Sequence, residues 1–332
     1  MKKNYFMLAA ATMLFAACAE TDVLVDVSEK ESAPQEISFD AFANKATRAE
    51  INSVIDLQTE GEFTVWGWKT QGTGISAVST TIFDEQKVTY TNDNWGYTPT
   101  QYWDKTATYD FYAVAPAEGD ATYSINNTTK MITIDGVKSG PSGTATDYLL
   151  DRDGVIDHPG STGGTVQFNF KHIMSKITIQ VKQAELDDDK DVILTDLTMS
   201  GWNSNPGKFV QNANSEWSIA TSGTAGTYQF VSRANQTLST SVAYEAGSYL
   251  MVPQTVASLS FTISYKIGEE TFLAHTGVMP AAEIWNTNTH YTYTITVGPE
   301  AIKFSVSSVE SWDGQGDGNT VIQDSDGTIG IE

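Results

Sequence analysis

The chain reads as an all-β protein built from β-sandwiches, on three observations. Runs of strand length, apolar or alternating, recur along it and are separated by Gly, Asn, Asp and Ser turns. No long amphipathic helix interrupts them. Aromatic residues make up 11% of the 332 residues, with 14 Tyr and 8 Trp, which is core-forming material rather than a disordered stalk.

The elements follow in order. Lys2-Lys3 gives a positive start, Tyr5 to Ala17 an apolar run, and Leu14-Phe15-Ala16-Ala17-Cys18 a lipobox. That run is too short to span a bilayer, so residues 1–17 read as an export signal, with Cys18 as the lipidation site. The placement also accounts for Cys18 being the only cysteine. Residues 19–35 are acidic and polar and read as a tether. In Glu36 to Phe42 the residues Ile37, Phe39 and Ala41 share one face of a strand, while Phe42 falls out of phase. Ala43 to Ala49 is small and basic, an exposed link.

Beyond the link, Phe63 to Trp68, Tyr109 to Val114 and Val166 to Phe170 are aromatic-rich strands. Lys176 to Val181, Val192 to Met199 and Tyr249 to Val252 continue the series, which Leu259 to Tyr265, Tyr291 to Val297 and Ile302 to Val306 complete. Pro280 to Trp285 reads as one short helical turn. The turn-forming stretch His158 to Gly164 marks a domain boundary ahead of a strong new strand. After Trp312 the Gly- and Asp-rich run to Asn319 reads as a flexible linker, and Thr328 to Ile331 is a short alternating segment.

Composition excludes several functions. With no second cysteine, no intrachain disulfide is available and the core must hold the fold. The formal net charge of −22 argues against nucleic acid and against docking on anionic lipid; it suits a soluble extracellular surface. The four histidines, His158, His172, His275 and His290, are scattered without zinc-site spacing, and G-x-S-x-G is absent. His172 reads as a hydrogen-bonded structural residue. Asp151-Arg152-Asp153-Gly154 and Asp324-Ser325-Asp326-Gly327 look like pieces of calcium loops, but neither continues with the ligand series, so both read as turns. Among 41 acidic residues no pair stands out for glycoside hydrolysis. Trp66, Trp68, Trp95, Trp103, Trp202 and Trp217 are candidates for stacking on sugars or, more simply, for the core. No enzyme, metal or cofactor is expected.

Phe168-Asn169-Phe170-Lys171-His172-Ile173-Met174-Ser175-Lys176-Ile177 resembles a stretch of the fimbrillin family of Bacteroidales surface fimbriae. Asp147 to Leu150, Leu250 to Gln254, Tyr291 to Val297 and Ile302 to Trp312 agree with it in the family's order. The resemblance implies two transthyretin-like Greek-key β-sandwich domains in tandem, at 49–162 and 163–312. It also implies a lipidated propeptide at 18–48 and a C-terminal extension at 313–332. On this resemblance the subunit travels to the outer membrane as a lipoprotein anchored through Cys18. An arginine-specific protease then cuts between Arg48 and Ala49, removing the strand that carries Ile37, Phe39 and Ala41. Arg48 is one of three arginines, with Arg152 and Arg233.

A strand from another subunit would fill the vacated groove, giving a homopolymeric surface fimbrium. Val321, Ile329 and Ile331 are the candidate donor plugs, on a tail expected to order only in a neighbour. A frayed acidic tail is the competing account of that segment. A host or glycan receptor is a further candidate partner. Two other readings stay open: a monomeric tethered lipoprotein that binds a glycan or host ligand, and a tip or anchor component of the same fimbria.

Overall fold

A computed structural model describes residues 33–43, 54–151, 155–186, 190–211, 216–221, 225–278, 283–312 and 327–330. Cys18, Arg48, Ala49, Val321 and Ile331 lie outside the described residues. So do Arg152, Asp153 and Gly154 of the first candidate calcium turn and Asp324 to Asp326 of the second.

The chain opens with β1 (Ser38–Ala43), a two-turn helix α1 (Val54–Glu60), β2 (Glu62–Gln71), β3 (Val78–Thr91), β4 (Asn94–Gly96) and β5 (Ala107–Ala115). It continues with β6 (Thr122–Asn126), β7 (Met131–Val137), β8 (Gly140–Pro141), β9 (Leu149–Leu150), β10 (Val155–Pro159) and β11 (Thr165–His172). Next come β12 (Ser175–Gln183), β13 (Val192–Asn203), β14 (Gly207–Val210), β15 (Glu216–Ile219), β16 (Ala225–Val231), β17 (Gln236–Thr237) and β18 (Tyr244–Met251). The last group is β19 (Gln254–Val256), β20 (Ser260–Ile267), β21 (Glu270–Val278), β22 (Glu283–Trp285), β23 (Thr289–Val297), β24 (Ala301–Ser311) and β25 (Gly327–Gly330). The all-β class expected from the sequence is what the chain adopts.

The largest sheet runs β1-β11-β9-β5-β2-β3-β4, with β10 added on β5. One face holds an apolar core drawn almost wholly from its own strands, including Phe63, Phe83, Phe111, Phe168 and Phe170, with Leu57 of α1 added to it. Strand β2 is buried on both faces: Phe63 and Val65 enter this core, while Trp66 and Trp68 point the other way. Gly67 lies where the rings crowd closest. A Cβ there would stand 2.7 Å from Phe83 Cδ2 and 2.9 Å from Phe111 Cδ1.

A second core lies between the six-stranded sheet β25-β24-β23-β12-β18-β8 and the five-stranded sheet formed by β16-β13-β20-β21 with β17 on β13. Its centre is β12, hydrogen-bonded in parallel to β23 and antiparallel to β18, so its first residues are covered on every side. A third core joins Trp66, Trp68 and Val114 to Ile132, Ile134 and Phe209 of the sheet β15-β14-β7-β6. It also takes in Ile173, Met174, Leu250 and Trp312.

This arrangement corrects four expectations. Strand β11, expected to open a second domain at residue 163, belongs to the first sheet, between β1 and β9. Its alternating burial sends Val166, Phe168 and Phe170 into the first core; Ile173-Met174 then lie in the third core, and β12 enters the second from Ile177. The halves also interleave, because the hairpin β14–β15 pairs with β7 and β8 pairs with β18. One short helical turn was expected within Pro280 to Trp285; residues 280–282 lie outside the described residues, and Glu283–Trp285 is a strand paired with β19. Trp285 is buried there and its Nε1 donates to the Tyr293 hydroxyl at 2.9 Å, a tertiary anchor that overrides local preference. Helix α1 stands where only link and strand were expected. Finally, the tail does not wait for a neighbour over its whole length: β25 already pairs antiparallel with β24 in the same chain, Ile329 opposite Ile302.

Candidate functional site

The site is the slot that residues 35–43 occupy. Alternation puts Ile37, Phe39 and Ala41 on one face, and all three are buried, at 0%, 4% and 0% exposure. The backbone is held along two walls. Ile37 N–H donates to the Gln101 carbonyl and Trp103 N–H donates to the Gln35 carbonyl, both at 2.9 Å. From Ser38 onward the segment lies parallel to β11, with Ser38 opposite Thr165 and Ala43 opposite Phe170. Ser38 Oγ and Thr165 Oγ1 share a hydrogen bond of 2.9 Å.

Tyr97 ties the slot together from the wall opposite β11. Its hydroxyl donates to the Ile37 carbonyl at 2.6 Å. Burial pushes the Tyr97 pKa up to about 12, so the hydroxyl stays a donor at all physiological pH. Trp103 closes the entry, its Nε1 donating to the Gly164 carbonyl at 3.1 Å. Burying Ile37 and Phe39 stabilises the segment by about 1.5–3 kcal/mol each. Each backbone bond adds about 0.5–1.5 kcal/mol. Without this segment β11 would be the exposed edge of the sheet, with unpaired N–H and C=O groups beside an apolar furrow.

Sequence reasoning placed Ile37, Phe39 and Ala41 correctly on one buried face but missed the slot's far wall. Phe83, Tyr97 and Gln101 come from a strand edge and a loop, and no local pattern in them signals a shared partner.

At the other end of β11, His172 Nδ1 lies 3.0 Å from Asp147 Oδ1, and both side chains are buried. The His172 ring stacks on Trp312, centroids 3.8 Å apart and planes within 4°. This pair joins β11 to the end of β24, the structural role expected of His172. On β23, His290 Nε2 and Thr178 Oγ1 share a hydrogen bond of 2.8 Å, and burial, with the Lys176 charge beside it, lowers the His290 pKa to about 4. Six of the eight tryptophans are buried and the other two, Trp95 and Trp217, are half-buried. Among the described residues no group of three or more His, Cys, Asp or Glu gathers as a metal site, and no helix is long and apolar enough to cross a membrane.

Comparison with known proteins points in one direction. A family model described as fimbrillin-like matches residues 47–312. The fimbrium subunit Fim1C of Phocaeicola vulgatus (strain ATCC 8482) is 24% identical over 223 residues. That match takes in 60% of this chain and 57% of the relative, so the chain spans little more than half of that protein's length. The crystal structure of a fimbrial protein from Bacteroides vulgatus ATCC 8482 shares the fold, with a TM-score of 0.61 at 19% identity. It covers 84% of this chain and 99% of that one.

Proposed function

The chain belongs to the fimbrillin-like family, and from that premise we propose that it is a structural subunit of a cell-surface fimbria that supports adhesion. It is made as a lipoprotein acylated on Cys18, reaches the outer membrane, and is cut between Arg48 and Ala49 by an arginine-specific protease. Residues 35–43 then leave the slot, and a strand from another fimbrial subunit takes their place.

One observation carries this reading. The segment Ile37-x-Phe39-x-Ala41 is packed into the core of the first sheet, yet the family match opens at Thr47 and leaves it out. A strand that completes one molecule's fold and stands outside the family's shared body is suited to replacement. While it sits in the slot the precursor offers no edge at β11; once it departs, an extended segment of a neighbour gains the same ladder and the same pockets. A contact of this kind repeats head to tail without closing, which yields a fibre.

Two points bear on the subunit's position. Residues 313–332, with Val321, Ile329 and Ile331, remain the candidate donor to a following subunit of a different kind. The pairing of β25 with β24 in the same chain favours a second reading, a terminal component whose tail is not offered onward. A tethered monomeric glycan binder gains no support from the six buried tryptophans.

The test is Arg48→Ala. This variant folds, keeps its acyl chain and stays out of fibres, as read by surface fractionation and electron microscopy. Normal incorporation of Arg48→Ala into fibres would overturn the proposal.

A further inference from the structure

The slot is selective at one station. Four rings surround Phe39: Phe83 at 5.2 Å and Phe111 at 5.9 Å, both edge-on, Tyr97 at 5.3 Å, and Phe168 stacked at 5.6 Å between centroids. The stations on either side hold an aliphatic Ile37 and a small Ala41, both fully buried. Hydrogen bonding selects less: Tyr97 and Gln101 bond to the backbone of Ile37, and the Ser38 Oγ–Thr165 Oγ1 bond lies at an exposed position. Edge-to-face packing draws on the ring quadrupole, which an aliphatic side chain lacks. A smaller group would also leave unfilled volume among four rings that are themselves packed together.

The chain's own tail does not meet this requirement. Residues 313–332 contain no Phe, Tyr or Trp. Part of that tail, Gly327–Gly330, is already hydrogen-bonded to β24. We infer that the strand which replaces residues 35–43 carries an aromatic side chain at the Phe39 station. It is supplied by a different fimbrial protein, not by residues 313–332 of a second copy. This rests on the reading above that residues 35–43 leave the slot.

Peptide exchange tests it. The full chain is made with a site-specific protease sequence in place of residues 44–48 and is then cut. A fluorescent peptide of residues 35–43 is exchanged into the cut protein and followed by polarisation. Unlabelled competitors are the same peptide, its Phe39→Leu variant, and a peptide of residues 319–332. The unaltered peptide displaces the label, Phe39→Leu does so about tenfold or more weakly, and residues 319–332 do not compete even at about hundredfold excess. Equal potency of Phe39→Leu or of residues 319–332 would overturn the aromatic requirement while leaving strand removal intact. If the unaltered labelled peptide cannot enter the cut protein at all, strand removal itself fails and the inference falls with it.

Discussion

Phe39→Ala is the sharpest perturbation of the slot. Phe39 is only 4% exposed and contacts four rings. Removing a buried phenylalanine side chain costs about 3–5 kcal/mol, because the transfer free energy is lost and the cavity collapses only in part. In the intact chain that loss falls on the local opening of residues 35–43, which lie at the sheet's edge, rather than on the whole molecule. Amide hydrogen exchange reads it directly. The reporters are the amides of Ile37 and Trp103, which bond across the slot to Gln101 and Gln35. Their exchange speeds up by roughly a hundred- to several-thousand-fold, following the free-energy loss. Amides of the β12–β23 pair, Ile177 and Tyr291 among them, keep their protection. Acceleration below about fivefold at Ile37 and Trp103 would show that the ring does not hold the segment in place. Equal acceleration in β12 and β23 would show that residues 35–43 cannot open apart from the rest, which refutes a removable strand.

Two further predictions follow from the geometry. In the double variant Ser38→Cys and Thr165→Cys, register partners with side-chain oxygens 2.9 Å apart, an oxidised pair pins the segment to β11. Export through an oxidising compartment then leaves the protein out of fibres and reductant restores entry; incorporation with the disulfide intact, checked by non-reducing gels of fibre fractions, would contradict strand replacement. The second concerns acid stability. The folded-state pKa of His290 lies near 4, below the ordinary value of 6.5, so the fold favours neutral imidazole. That stability is complete above about pH 6.5 and is lost as pH falls toward 4, a change of about 3 kcal/mol at most. His290→Gln removes this part of the pH dependence, so urea midpoints of variant and parent converge between pH 7 and pH 4.5; an unchanged gap would refute the assignment.

Much of the fold was legible because strand periodicity is local. The face Ile37, Phe39, Ala41 and the face Val166, Phe168, Phe170 both follow from alternation alone, and both are buried. What alternation does not say is which strand lies alongside. Val166, Phe168 and Phe170 pack equally well in either sandwich by pattern. Only the pairing with β1 and β9 puts them in the first, so the boundary read from the turn-rich residues 158–164 fell too early. The same limit hid Tyr97, whose partner, the Ile37 carbonyl, is sixty residues away. Trp285 shows the converse case: a stretch without clear strand character becomes one because Tyr293 and β19 fix it. His172 was legible as a structural residue, but its stacking on Trp312 joins positions too distant for any spacing rule.

Mass spectrometry of the protein's N-terminus, taken from purified surface fibres, bears most directly on the exchange of one strand for another. The account predicts a chain beginning at Ala49, with residues 35–43 absent from the fibre. A fibre-borne chain that still carries an acylated Cys18 continuous with Phe39 would contradict it.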